Sequence, residues 1–206
     1  MSLMTRRTAI VTGLVAGLAL SLPALAGPAV GQPAPAFSAV DASGKTVALA
    51  DYKGRPVVLE WTNDGCPFVK KHYDSGNMQQ LQKTYTAKNV AWLTVISSAP
   101  GKQGHADGAK AKQLSADRGA TPTTVLLDDS GTVGRLYDAK TTPHLFVIDA
   151  AGTLVYAGGI DSLPTADPAD IAAAEPYVKN ALDELLAGKP VTAAKTKPYG
   201  CSIKYG

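Results

Sequence analysis

Residues 57–73 read Val57-Val58-Leu59-Glu60-Trp61-Thr62-Asn63-Asp64-Gly65-Cys66-Pro67-Phe68-Val69-Lys70-Lys71-His72-Tyr73, and the fold turns on them. The first five residues are β-branched, aliphatic or aromatic apart from Glu60, which predicts a short central strand. Thr62 to Gly65 is polar and forms the loop at the carboxyl end of that strand. Pro67 opens a helix, because its missing N–H is one that the first helical turn would leave unpaired anyway. The helical pattern is interrupted at Ser75-Gly76, resumes over Asn77 to Lys88, and is followed by a second buried strand at 90–97 (VAWLTVIS). Strand, helix, strand in this order is a parallel unit, right-handed by default.

Working outward, Phe37 to Val40 and Thr46 to Leu49 flank the turn cluster 41–45 (DASGK), which predicts a small peripheral hairpin. Residues 98–104 read as a loop, 105–117 as a helix, and Thr123 to Leu127 as a third strand. His144 to Asp149 and Leu154 to Ala157 surround Ala150-Ala151-Gly152, a second hairpin. Tyr177, Val178, Ala181, Leu182, Leu185 and Leu186 share one face of a last helix, with Gly188 and Pro190 as stop signals. There is no internal repeat. The expected fold is α/β: a central mixed β-sheet with a parallel centre and an antiparallel edge, helices on both faces, an N-terminal hairpin and a C-terminal tail. One domain spans 37–190, preceded by a flexible Pro-, Gly- and Ala-rich lead-in at 27–36 and followed by the tail 191–206, which carries Cys201.

The chain has 206 residues, 45% hydrophobic and 18% charged, which sets it apart from disordered and integral membrane classes. Residues 1–26 read as a signal peptide: Arg6 and Arg7, an apolar run from Ala9 to Leu22, then Ala24-Leu25-Ala26 as a cleavage pattern. The expected location is therefore export, to a bacterial periplasm, by a Sec or a Tat route, with no membrane anchor once the leader is cut. The formal net charge of +3 falls to +1 without Arg6 and Arg7, a balance that supports neither nucleic-acid nor membrane-surface binding. Only two cysteines are present, Cys66 and Cys201, and in an oxidising compartment two cysteines readily pair.

Cys66 lies where the strand's loop meets the helix. Its sulfur is expected near the unpaired N–H groups and positive dipole end of the helix, where a thiolate is stabilised. Cysteines so placed have pKa values lowered from about 8.5 into a range of roughly 3.5–7.5. Lys70 and Lys71 either add positive charge one turn away or form a solvated helix face. Asp64 either accepts a proton or opposes thiolate formation, and Asn63 stands beside it in the loop. His72, His105 and His144 raise a metal site, but the two cysteines are too far apart in sequence for the usual Cys-and-His ligand spacing, so no metal or other cofactor is expected. Trp61 and Trp92 read as core. Pro143, in Thr142-Pro143, precedes the strand HLFVID, the position in which a strand tolerates proline.

Residues 65–73 (GCPFVKKHY), 141–161 (TTPHLFVIDAAGTLVYAGGID) and 200–205 (GCSIKY), in that order, resemble the peroxiredoxin-like branch of the thioredoxin superfamily, the redoxin or alkyl hydroperoxide reductase/thiol-specific antioxidant proteins. The resemblance spans about residues 32–206. It implies a thioredoxin-like fold, with Cys66 as the attacking cysteine and Pro143 as a cis-proline facing it. Thr142 would lend backbone groups to a bound substrate, with Pro67, Asn63 and Asp64 around the same site. It further implies a thiol-dependent oxidoreductase with antioxidant character, acting on a thiol/disulfide protein or a hydroperoxide and reset by an external thiol reductant.

The chain departs from the relatives in two places. Cys66-Pro67-Phe68-Val69 lacks the second cysteine of Cys-x-x-Cys. Leu59 and Asn63 stand where typical peroxiredoxins have the Pro and Thr of Pro-x-x-x-Thr-x-x-Cys, so peroxide reduction is not implied. An oxidised Cys66 then needs a distant thiol, and Cys201 is the one candidate in the chain. Three readings of Cys201 stand at this point: a resolving cysteine, an unpaired thiol, or one end of a permanent disulfide. The last would stabilise the fold by up to about 4–5 kcal/mol by loop closure, and belongs to a different kind of protein, a non-enzymatic metal- or partner-binding module.

Overall fold

The computed structural model describes residues 27–206; the signal peptide expected at 1–26 lies outside them. The apolar runs become strands of one seven-stranded sheet. In chain order the elements are β1 (Ser38–Asp41), β2 (Thr46–Ala48), β3 (Val57–Trp61), α1 (Pro67–Asp74), α2 (Asn77–Thr86), β4 (Ala91–Ile96), α3 (Gly108–Asp117) and β5 (Thr124–Leu127). They continue with α4 (Thr132–Leu136), β6 (Thr141–Thr142), β7 (His144–Ile148), β8 (Leu154–Gly158), α5 (Tyr177–Leu186) and β9 (Cys201–Ser202). The sheet order is β2-β1-β5-β4-β3-β7-β8, and β6 pairs separately with β9. Contacts β3·β4 and β4·β5 are parallel, and all other pairs are antiparallel. The result is the expected mixed sheet with a parallel centre.

β3 and β4 are buried along their whole length, because α1, α2 and α5 cover one face and α4 with irregular chain covers the other. The period of two sorts the side chains. Val58, Trp92, Leu145, Val147 and Tyr156 pack with α1, α2 and α5. Val57, Leu59, Trp61, Leu93, Val95, Phe146 and Ile148 pack on the opposite side with Phe37, Val133 and Tyr137. Each fully buried large apolar side chain contributes roughly 1.5–3 kcal/mol. Glu60, in the middle of β3, is the exception. Its carboxylate accepts hydrogen bonds from Tyr73, Gln82, Trp92 and Thr94, which offsets the cost of burying it.

Three segments differ from expectation. The lead-in is stitched to β8 and its turn: Gly31 and Ala34 donate to Leu154 and Gly152, and Leu154 donates to Gln32. Helix α4 was not anticipated; it exists because the buried carboxylate of Asp128 accepts the Val133 and Gly134 N–H groups of its first turn. The tail is not loose. Ala157 and Thr196 bond along the β8 edge, Ile203 donates to Lys140, Ala99 donates to Lys204, and the Tyr205 hydroxyl donates to Ala139. Among the described residues no helix is long and apolar enough to cross a membrane.

Candidate active site

Cys66 is the N-cap of α1, with extended backbone (φ −81°, ψ 122°) and Pro67 at the first helical position. Its N–H donates to Asn63 O at 3.1 Å, closing the loop that leaves β3. The Asn63 side chain shapes the same loop: Oδ1 accepts the Gly65 N–H at 2.9 Å, and Nδ2 donates to Gln103 Oε1 at 3.1 Å. Asn63 is thus spent on holding two loops together, beneath the surface. Asp64 points outward, its carboxylate 3.9 Å from Lys110 Nζ and its carbonyl accepting from Arg118.

The Cys66 thiol donates to Thr142 O at 3.0 Å, which brings the Thr142–Pro143 peptide, a cis bond, against the sulfur. On the far side of Thr142 runs β9, in which Cys201 stands opposite Thr142 and Ser202 opposite Thr141. Residues 66, 142–143 and 201 therefore meet at one point. This close approach requires Gly200: at φ +130°, a Cβ there would lie 2.0 Å from Thr142 O. Both cysteines are free thiols, and Cys66 is fully buried while Cys201 is partly exposed.

The two thiols differ in proton affinity. Burial pushes the Cys66 thiol up, but the Cys201 side chain and backbone N–H, the Thr142 side chain and the Val69 N–H all stabilise its thiolate, so that its pKa falls below the ordinary value. Val69 is the third residue of α1, and its N–H, which donates to Cys66 O at 3.1 Å, also stabilises the thiolate from within the first turn. Cys201 moves the other way, pushed up to about 11 by burial and by the Cys66 sulfur that its proton serves. Cys66 is the residue that ionises first.

The remaining residues of interest disperse. Lys70 is exposed, whereas Lys71 is buried in an ion pair with Asp161 at 3.2 Å. His72 and His144 are buried, and burial lowers both to about 4. His105 lies 3.4 Å from Asp129, away from both. Among the described residues no group of three or more His, Cys, Asp or Glu converges as a metal cluster. Trp61 and Trp92 are core, their indole N–H groups donating to Ser97 and Glu60. Sequence reasoning missed Asp161 and Tyr199, whose hydroxyl bonds Asp161 Oδ1 at 2.5 Å. The available signal was position: Asp161 closes the stretch 141–161, and Tyr199 immediately precedes the tail motif 200–205.

A mixed sheet with a cysteine at the start of the helix after its central strand, faced by a cis-proline peptide, defines a redoxin of the thioredoxin superfamily. The family model for AhpC/TSA matches residues 30–157, and the chain belongs to that family. Its general chemistry is thiol-based oxidoreduction. No curated protein matches the sequence. Among solved structures, an uncharacterized conserved protein from Geobacillus kaustophilus is similar at 28% identity and a TM-score of 0.74, covering 86% of this chain and 93% of its own. A hypothetical protein from Sinorhizobium meliloti shares the fold, with 23% identity, a TM-score of 0.73 and coverage of 88% and 97%. A Chlorobium tepidum protein assigned as the thiol:disulfide interchange protein DsbE is 27% identical, with a TM-score of 0.52 and coverage of 64% and 85%.

Proposed function

We propose that the protein is an exported thiol–disulfide oxidoreductase in which Cys66 attacks and Cys201 resolves. The observation that carries this reading is the pair itself: two free thiols meeting across Thr142, one made acidic and the other made basic by their contact. The Cys66 thiolate attacks one sulfur of a substrate disulfide, forming a mixed disulfide and expelling the other sulfur as a thiolate, which takes a proton. Cys201, losing its proton to water or to the departing thiolate, then attacks the Cys66 sulfur. The second substrate thiol leaves, and the Cys66–Cys201 disulfide remains. The substrate disulfide is reduced by two electrons, the protein dithiol is oxidised by two, and an external thiol reductant resets the pair. The leader-like residues 1–26 and the oxidising compartment they imply support a periplasmic setting.

The same pair supports a second substrate class. A hydroperoxide would convert the thiolate to a sulfenic acid with release of the alcohol, and Cys201 would condense with it, releasing water. Mass spectrometry of the reduced chain, treated in parallel with a small disulfide and with a hydroperoxide, tests both. A linkage between 66 and 201 that forms on demand and is undone by mild reductant is expected with the disulfide. A linkage that never forms would overturn this reading and leave Cys201 an unpaired thiol, and one that survives mild reductant would make it a structural staple. In Cys201→Ser the mixed disulfide should accumulate on Cys66.

A further inference from the structure

Cys66 has no open face in the reduced protein, and part of what covers it is the chain's own β9. That strand also occupies the backbone edge of Thr141-Thr142, the edge against which an extended polypeptide would have to lie. A substrate larger than a hydroperoxide therefore requires β9 to move. Besides its pairing with β6 and the hydrogen bonds of Ile203, Lys204 and Tyr205, β9 is anchored on its N-terminal side by a buried polar cluster that the redox reading does not use.

Tyr199, which leads into β9, is the hub of this cluster. Its hydroxyl donates to Asp161 Oδ1 at 2.5 Å and lies 3.1 Å from His72 Nε2. Asp161 Oδ2 accepts from Lys71 Nζ at 3.2 Å, and Lys71 also donates to Leu163 O at 2.9 Å. Asn77 Nδ2 stands 2.9 Å from His72 Nδ1. One proton arrangement satisfies every contact: Asn77 donates to Nδ1, Nε2–H donates to the Tyr199 oxygen, and Tyr199 and Lys71 donate to the two oxygens of Asp161. Lys71 and His72 belong to α1, the helix that Cys66 caps, so the cluster ties the helix of one thiol to the strand of the other. A cleft of about 350 Å³ borders it, lined by Thr141, Asp161, Lys197, Tyr199 and Gly200, and offers solvent access once the strand lifts.

We infer that Lys71, His72, Asp161 and Tyr199 form a latch in which Tyr199 is a positioning residue: closed, it sets Cys201 against Cys66 and restricts Cys66 to small substrates, and its release admits polypeptide disulfides. This rests on the reading of Cys66 as the attacking thiol only for its substrate consequence. The latch itself is tested on the reduced chain. Tyr199→Phe keeps the ring packed on Phe68, whose centroid is 5.8 Å away, and removes only the hydroxyl.

Iodoacetamide labelling of Cys66, followed by peptide mass spectrometry, should be about ten- to a hundred-fold faster in Tyr199→Phe and in Asp161→Asn than in the wild type, the size expected for one lost charge-assisted hydrogen bond. Tyr85→Phe, which removes a hydroxyl between α2 and α5, should leave the rate unchanged. In the wild type, hydrogen exchange gives an independent measure: the Ile203 amide should open faster than the amides of β3, at the rate that limits Cys66 labelling. The latch is overturned if folded Tyr199→Phe and Asp161→Asn label like wild type, or if wild-type Cys66 labels only as fast as β3 unfolds. Faster labelling in the variants, combined with a wild type that never forms the 66–201 linkage, would keep the latch and discard the redox assignment.

Discussion

Cys66 ionises against the pull of its own burial, and the largest opposing influence is the thiol of Cys201, far along the chain and brought up by its pairing with Thr142. Cys201→Ala should therefore raise the Cys66 pKa toward or above that of a free thiol, a shift read from the pH dependence of alkylation. The buried histidines make a second residue-scale prediction. His72 and His144 have folded pKa values of about 4, below the ordinary 6.5, so the unfolded chain binds more protons between those limits. Stability is then fully present above pH 6.5 and is lost as pH falls toward 4, by about 2 kcal/mol per histidine at pH 5. Glu60, whose carboxyl burial pushes up, works in the opposite sense. The histidine part is isolated by urea unfolding at pH 7 and pH 5, where His144→Gln should remove about half of the fall.

At the scale of elements, β9 exists only through its partner. Two residues have no periodicity to read, and neither β6 nor β9 carries a signal that survives outside the pairing. The central strands β3, β4 and β7 were legible because they are buried on both faces and so are apolar almost throughout. Helix α1 was legible from Pro67. Helix α4 was not, since its five residues include Gly134 and the β-branched Thr132 and Val133, and its start is set by Asp128 rather than by an adjacent cap. The site shows the same divide. Cys66, Thr142 and Pro143 announced themselves by type and order, whereas the Asp161–Tyr199 contact depends on tertiary packing. Gly200→Ala probes the pairing directly. The added Cβ meets Thr142 O and the backbone is strained, at a cost of roughly 1–3 kcal/mol. Most of the oxidant-induced 66–201 linkage should disappear, while the melting temperature falls by only about 3–10 °C.

Across the whole molecule, the sheet's two faces and its two edges are treated differently. Both faces are covered by apolar packing. At one edge β2 is only three residues long, too short to template another chain well. At the other edge β8 is shielded by residues 194–196, through the Ala157–Lys195 bridge, the Ala157 N–H donating to Ala194 O and the Thr196 N–H donating to Ala157 O. Deleting residues 191–206 to dispose of one thiol would strip that shield and bare a five-residue strand to its neighbours in solution. Such a shortened chain is expected to self-associate, visible as early elution on size exclusion, and its inactivity would say more about aggregation than about chemistry.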